Sequence, residues 1–411
     1  MREKIFVSAY ACEPGLGSEI GVGWHWVLEM SKHFELWVLT RESNRGSIEP
    51  WIAEHPEFAG IHWLYFDLPR WARFWKKGLR GVRTYYNLWQ MLTNGIVRRT
   101  MQANGIRVFH HLTYGNVLWK VSSYGQRQCF IWGPVGGLET IPKEFSQHYG
   151  RRNRLIERVR RAAVAMLPLN SGLKKRCRNA DLILCKTEIT RDLLPESCRP
   201  KAVLQTDVAV ESMPEALATR RADDGVLRLI TVGRLDAWRG FDLCIEALAG
   251  ALEAQPGADI RLTIVGSGSD EERLRGIAGA RGVAGKVTFA GKVSQEEYRR
   301  LMAESDVVLN ASLKEGAVTV SFDSMAMGKP LICIDTKGYT RYFDKRYAML
   351  IDAHSRRQAI DDLARGITAM LDAPLRHRMG DEAHRAGKGF LWAQRGEEIA
   401  ALLRQRGITG K

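Results

Sequence analysis

Residues 314–332 read KEGAVTVSFDSMAMGKPLI, a set of side chains suited to holding a sugar phosphate. The apolar run just upstream, residues 306–310, has the composition of a buried strand of a parallel sheet. Glu315 therefore falls at a strand's carboxyl end, where open α/β sheets bind their ligands. Gly316 permits close backbone approach, and Phe322, Met325, Ala326 and Met327 recur at helical spacing. The free amides of a helix start, around Val318, Thr319 and Val320, then lie beside Glu315. Such amides attract phosphate. A carboxylate next to them would repel phosphate unless it serves something else, and accepting hydrogen bonds from sugar hydroxyls fits that part. The plainer alternative is a surface loop with a solvated Glu315.

Complementary chemistry sits at GRLDAWRG, residues 233–240. An apolar run at 227–232 reads as a strand leading into it, and a helix with Leu243, Ala247, Leu248, Ala251 and Leu252 on one face follows. A guanidinium fork grips two phosphate oxygens at once, so Arg234 and Arg239 opposite a helix start would hold a diphosphate without a metal. Exposed loop arginines are the ordinary alternative. Two further strands end in Gly266-Ser267-Gly268 and Gly291-Lys292-Val293. Near the N-terminus ACEPGLGSEIGVGW (11–24) joins a first strand, residues 5–9, to a helix carrying Trp24, Trp26, Val27 and Met30. Gly15, Gly17 and Glu19 thus lie at another strand end. The second strand, 36–40, ends in Arg41 with no acidic residue at the right distance, so the pattern is not the dinucleotide fingerprint. A strand at 107–109 ends in His110-His111, a pair that more often caps a core than touches a ligand.

These motifs resemble the signature of retaining GT-B glycosyltransferases of family 4. In that signature a Glu-Gly pair is followed, eight positions after the Glu, by a second Glu, then by Ala-Met and Gly-Lys-Pro. Asp323 stands here where the family usually has Glu, one methylene shorter. GRLDAWRG is similar to the family's Gly-Arg-Leu...Lys-Gly motif, with Arg239 in place of Lys. Residues 11–24 resemble the N-terminal loop of a bacterial subgroup. The resemblance covers most of the chain and is strongest over 225–335. It implies an α/β fold, GT-B, with two doubly wound parallel-sheet (Rossmann-like) domains facing a cleft. The implied reaction moves a sugar from a nucleotide-diphosphate-sugar donor to a saccharide hydroxyl with retained anomeric configuration, in bacterial surface polysaccharide synthesis. By the same resemblance Glu315 holds the donor sugar and Asp323 the ribose, while Arg234, Arg239 and the amides at 318–320 hold the diphosphate. Gly266 and Val293 would face the base, and Gly15 and Gly17 would lie near acceptor and donor phosphate. A histidine near the reacting sugar is implied at 110–111; the register is open, and His111 is carried as the candidate. Neither cofactor nor metal is expected. A catalytically inactive pseudo-glycosyltransferase serving as an assembly scaffold is the alternative, motivated by Asp323.

The elements that must position these residues follow from length and periodicity. A chain of 411 residues suits two domains of about 200 residues each. Strands alternate with helices over residues 1–205, the pattern of one parallel domain that would bind the acceptor. Residues 206–225 are polar and aperiodic, a hinge. The sheet signal restarts over 226–387, the nucleotide-sugar domain. Residues 388–411 read as a helix with Trp392, Ile399, Leu402 and Leu403 on one stripe, which by resemblance crosses back to the first domain. Seven scattered cysteines, odd in number, point to reduced thiols in the cytoplasm. Neither a signal-peptide pattern nor an apolar run of membrane-spanning length is visible.

Charge separates the halves. Residues 1–205 hold 31 Lys and Arg against 17 Asp and Glu, whereas 206–411 hold 30 against 29. Arg70, Arg73, Lys76, Lys77, Arg80 and Arg83 crowd together with Trp71, Phe74, Trp75, Tyr85 and Tyr86. A helix with aromatics on one face and cations on the other would lie in an anionic membrane interface. A second cluster, Arg151, Arg152, Arg154, Arg158, Arg160 and Arg161, adds to that reading. Peripheral association with the inner membrane face, and a lipid-linked saccharide acceptor, are the expectations. A nucleic-acid partner is not expected, because it would leave the neutral, motif-bearing second half unexplained.

Overall fold

The structure is a computed structural model and describes residues 2–76, 81–122, 128–214, 223–314 and 318–410. It divides into two compact units. One holds Met1–Leu138, Met166–Asp207 and Trp392–Lys411; the other holds Glu139–Ala165 and Val208–Leu391.

The first unit is built on seven parallel strands: β1 (Lys4–Ser8), β2 (Glu35–Thr40), β3 (His62–Tyr65), β4 (Val108–His111), β5 (Cys129–Val135), β6 (Leu182–Cys185) and β7 (Ala202–Leu204). Their order is β3-β2-β1-β4-β5-β6-β7. The central strands β1, β4, β5 and β6 are buried along nearly their whole length, as the inner strands of a parallel sheet are. The order reverses at β1/β4, so the glycine-rich loop after β1 and the His110-His111 strand end flank the topological switch point.

The second unit carries six parallel strands: β8 (Val226–Val232), β9 (Asp259–Val265), β10 (Val287–Gly291), β11 (Val307–Asn310), β12 (Leu331–Ile334) and β13 (Ala348–Ile351), in the order β10-β9-β8-β11-β12-β13. Its switch point is β8/β11. GRLDAWRG leaves β8 there, and residues 311–314 leave β11. One apolar core beneath this sheet joins Leu229, Leu248, Leu262, Leu309 and Ile332.

Three expectations need correction. Residues 139–165 do not belong to the first domain. Ile141, Phe145 and Tyr149 are buried in the second unit's core, and Glu144 Oε1 accepts a hydrogen bond from the Arg356 amide at 3.0 Å. Burial of those three side chains outweighs sequence proximity. Residues 206–225 are not wholly a hinge either. Val208, Ala209 and Val210 are buried, and the Val210 amide donates to Phe390 O at 2.7 Å; residues 215–222 lie outside the described residues. At the C-terminus Phe390 packs edge-on against Phe322 and Tyr342 of the second unit. The helix Trp392–Gln405 belongs to the first, where Trp392 stacks on His25.

The third correction concerns residues 70–83. Arg70–Ala72 form a single 3-10 turn, and the following helix, Val82–Asn104, begins only after Gly81 at φ +77°. Trp75 packs where a Gly81 side chain would stand, and Tyr85 and Tyr86 are core residues. Tyr10 meets Tyr86, Trp89 and Tyr114 edge to face at 5.2, 5.3 and 4.9 Å. Two of the five aromatics counted as surface therefore build the interior, while Trp71 (79%) and Phe74 (76%) remain exposed. Lys77 and Arg80 lie outside the described residues. Among the described residues no helix is long and apolar enough to cross a membrane.

Two glycines of the second unit test this description. Gly266 has φ +131°, and a Cβ there would stand 1.9 Å from the Gly233 carbonyl oxygen; Gly276, inside the helix Glu271–Ala280, has open space around it. Gly266→Ala should cost about 3 kcal/mol or more, from strain and overlap together. Gly276→Ala should stabilise by about 0.5–1 kcal/mol, because it removes unfolded-state entropy within a helix. Chemical unfolding of both variants checks this, and equal stabilities would contradict the close approach.

Candidate functional site

The strand ends of the second unit are laced into one surface. The Gly233 amide donates to Val265 O at 2.9 Å, and the Gly266 amide donates to Gly291 O at 2.8 Å. The Leu235 amide reaches Ser267 O at 3.0 Å, and Asp270 N returns to Leu235 O at 3.2 Å. The glycine-bearing turns after β8, β9 and β10 thus meet, and only glycine at 266 lets the chain come so close to the Gly233 carbonyl, while Gly233 itself adopts φ +153°.

From this surface Arg234 projects into solvent, with its guanidinium on Asp236: Nε lies 2.7 Å and Nη2 2.6 Å from Oδ2. Arg239 is half-buried, its Cζ 4.5 Å from the Trp238 ring centroid. Gly240, at φ +69°, starts the helix Phe241–Ala254, and a Cβ there would meet Ala311 O at 2.0 Å. The Leu313 amide donates to Trp238 O at 3.1 Å. The loop with both arginines is thereby tied to the chain leaving β11, the strand that leads to residues 314–332.

At that second loop Glu315, Gly316 and Ala317 lie outside the described residues. Val318 is the N-cap of the helix Thr319–Ala326, and Thr319 and Val320 form its first turn. Asn310, at the end of β11, fixes the helix from beneath: its amide nitrogen donates to Ser321 Oγ at 3.3 Å and Tyr339 Oη at 2.8 Å. Asp323 Oδ2 accepts from Tyr298 Oη at 2.6 Å. Burial pushes the Asp323 carboxyl up to about 6, against the opposing pull of the Tyr298 hydroxyl. Val293 is half-buried in the turn after β10.

The first-unit candidates are arranged differently. Gly15, at φ +71°, and Gly17, the N-cap of the helix Ser18–Ser31, are exposed. Glu19, in the first turn of that helix, accepts from the Tyr114 amide at 2.8 Å, which ties the helix start to the loop after β4 across the switch point. Both histidines are in the core. His111 Nε2 meets Tyr86 Oη at 3.0 Å, and His110 Nε2 meets Gly133 O at 2.7 Å. Burial lowers His110 to about 4 and His111 to about 3, so both rings are neutral at pH 7. His111 is offered to the hydroxyl of Tyr86 and not to solvent. A buried Lys186–Asp207 pair at the ends of β6 and β7 was not anticipated, since neither residue belongs to a motif.

The fold is that of GT-B glycosyltransferases. Sucrose-phosphate synthase from Thermosynechococcus elongatus superposes with a TM-score of 0.67 at 14% identity, covering 98% of this chain and 99% of that one. Anabaena HepE in complex with UDP and glucose gives 0.61 at 15% identity, covering 98% and 100%. Residues 214–386, most of the second unit, match the family described as "Glycosyl transferases group 1". Among curated relatives, an alpha-D-kanosaminyltransferase of Streptomyces kanamyceticus is 28% identical over 245 residues, 56% of this chain and 62% of that protein. A D-inositol 3-phosphate glycosyltransferase of Arthrobacter sp. is 28% identical over 183 residues, 44% of this chain and 42% of that protein. The matched region thus spans less than two thirds of these relatives' length.

The Asp323–Tyr298 pair generates a pH prediction. The folded state holds the Asp323 proton to about pH 6, whereas the ordinary value is 3.8. The folded state therefore binds more protons between those values, and stability falls as pH rises through that window. Asp323→Asn removes this dependence, so wild type should lose stability relative to the variant between about pH 4 and pH 6. Urea midpoints at a series of pH values measure the difference. A gap that widens in favour of wild type as pH rises would contradict it.

Proposed function

We propose that the protein is a retaining glycosyltransferase of the family 4 kind. It would take a sugar from a nucleoside-diphosphate donor bound on the second unit and join it to a saccharide hydroxyl held by the first. The observation that carries this reading is the lacing of the Gly233, Gly266 and Gly291 turns beside Arg234 and Arg239, within the region that matches the family. During transfer, negative charge grows on the departing diphosphate while the anomeric carbon becomes oxocarbenium-like. Fixed cations and amides directed at the diphosphate are the main catalytic devices for such a change. Arg234, Arg239 and the amides of residues 318–320 are assigned to the diphosphate, and the positive charge it needs comes from the guanidinium groups. Glu315 is assigned to the donor sugar, Asp323 to the ribose, and the turns at Gly266 and Val293 to the base. HepE was crystallised with UDP and glucose, so a uridine diphosphate sugar is the first donor to try.

The acceptor we assign is lipid-linked, in surface polysaccharide synthesis at an anionic membrane face on the cytoplasmic side. Trp71 and Phe74 stand exposed near Arg70 and Arg73. On the helix Arg151–Ala165, Leu155, Ile156 and Val159 are exposed among Arg151, Arg152 and Arg158. Each basic residue near anionic lipid adds about 1 kcal/mol. The scaffold alternative draws on one observation, that the Asp323 carboxylate is already engaged by Tyr298. Donor hydrolysis or transfer by the purified protein separates the two.

Arg234→Ala should weaken uridine diphosphate binding by about 1.5–3 kcal/mol, the scale of a hydrogen bond to a charged group. Glu315→Gln should keep nucleotide binding and lose turnover, because the carboxylate is asked to act mainly in the transition state. Calorimetric titration and a transfer assay check both, and unchanged affinity with unchanged turnover would overturn the site assignment. The protein should also sediment with anionic liposomes at low salt and be released only partly by added salt. Indifference of the protein to such liposomes would favour a soluble acceptor.

A further inference from the structure

The helix Arg151–Ala165 comes from the first half of the sequence and packs with the second unit. Arg154, Glu157 and Arg161 fall on one face of it, spaced three and four residues apart. Two of them are used within the inserted segment: Arg154 Nη2 donates to Tyr149 O at 3.1 Å, and Arg161 Nη2 to Ser146 Oγ at 3.1 Å. Glu157 reaches further. Its carboxylate pairs with the Lys314 ammonium, and the two side chains are only 5% and 9% exposed. Lys314 in turn lies 5.2 Å from the centroid of the Trp238 ring, the same ring that carries Arg239 at 4.5 Å. Backbone contacts close the assembly, because the Leu313 amide donates to Trp238 O and Gly240 abuts Ala311 O.

A buried ammonium is stabilised by the buried carboxylate it pairs with, and removal of that carboxylate weakens its hold on its position. Loss of the Glu157 charge would loosen Lys314 from its place against Trp238. The ring it leaves, Trp238, is the support of Arg239. We infer that Glu157 is a positioning residue for the diphosphate-binding loop 233–240: it holds Lys314 against Trp238, and Trp238 holds the Arg239 guanidinium. The inserted helix is thereby part of the donor site's support, although no donor-contacting motif lies in it. This inference rests on the donor reading proposed above.

The test is calorimetric titration of the full-length protein with uridine and guanosine diphosphate, well below its melting temperature. Wild type should bind at least one of the two. Glu157→Gln should bind that nucleotide about tenfold more weakly, and Glu157→Asp, which keeps the charge on a shorter arm, should fall between them. In a Lys314→Met background Glu157→Gln should cause no additional loss, since the effect runs through Lys314. A purely structural Glu157 would lower the melting temperature and leave affinity unmoved. Affinity within twofold of wild type in both Glu157 variants would overturn the inference while leaving the donor reading intact. An undiminished loss in the Lys314→Met background would also overturn it. Failure of wild type to bind either nucleotide would overturn the donor reading, and this inference with it.

Discussion

The approach of the Gly266 backbone to the Gly233 carbonyl is the constraint on which the second unit's chemistry depends. Parallel strands bring their carboxyl ends to one edge of a sheet, but side chains on the turns would hold neighbouring loops apart. Glycine at 266 removes that obstacle, and the amides of Gly233 and Gly266 bond to the Val265 and Gly291 carbonyls at the neighbouring strand ends. The result is a continuous backbone surface from β8 to β10. It carries Arg234, with Asp236 on its guanidinium, and Arg239 beside the Trp238 ring. Each later feature is placed by reference to it: the helix starting at Gly240, the chain leaving β11, and the helix capped by Val318.

A second constraint is electrostatic. Glu157 and Lys314 are far apart in sequence and are both almost fully buried. A pair of this kind contributes little net stability compared with apolar packing, yet it fixes one arrangement over others because either charge alone is strongly disfavoured. It joins the inserted segment 139–165 to the chain leaving β11, where Lys314 lies against the Trp238 ring. The apolar contacts of Ile141, Phe145 and Tyr149 with the second unit's core supply the attachment that makes the ion pair's geometry dependable.

Much of this was legible from sequence, and the reasons differ by feature. Strands such as β8 and β11 announce themselves by apolar runs, and glycines at their ends mark where the backbone comes close. Hence Arg234, Arg239 and Gly266 could be placed at strand ends, and Val318 at a helix start, without coordinates. Residues 70–83 misled because composition carries no direction. Gly81 at φ +77° interrupts the expected helix, and Tyr85 and Tyr86 turn inward on the next one. The course of residues 139–165 was illegible because the core positions Ile141, Phe145 and Tyr149 satisfy any nearby apolar surface equally well on paper. The Tyr298–Asp323 and Glu19–Tyr114 bonds were hidden for a similar reason, since each joins a motif residue to one with no motif of its own.

The central claim is that a nucleoside-diphosphate sugar is held by the laced strand ends of the second unit. Hydrogen–deuterium exchange of the full-length protein, with and without saturating uridine diphosphate sugar, tests it most directly. Slowed exchange is expected in peptides spanning 233–240, 266–270, 291–294 and 318–324, with little change at the β1 and β4 strand ends. Protection confined to residues 11–24 and 112–116, with none at the turns of Gly233, Gly266 and Gly291, would contradict the account.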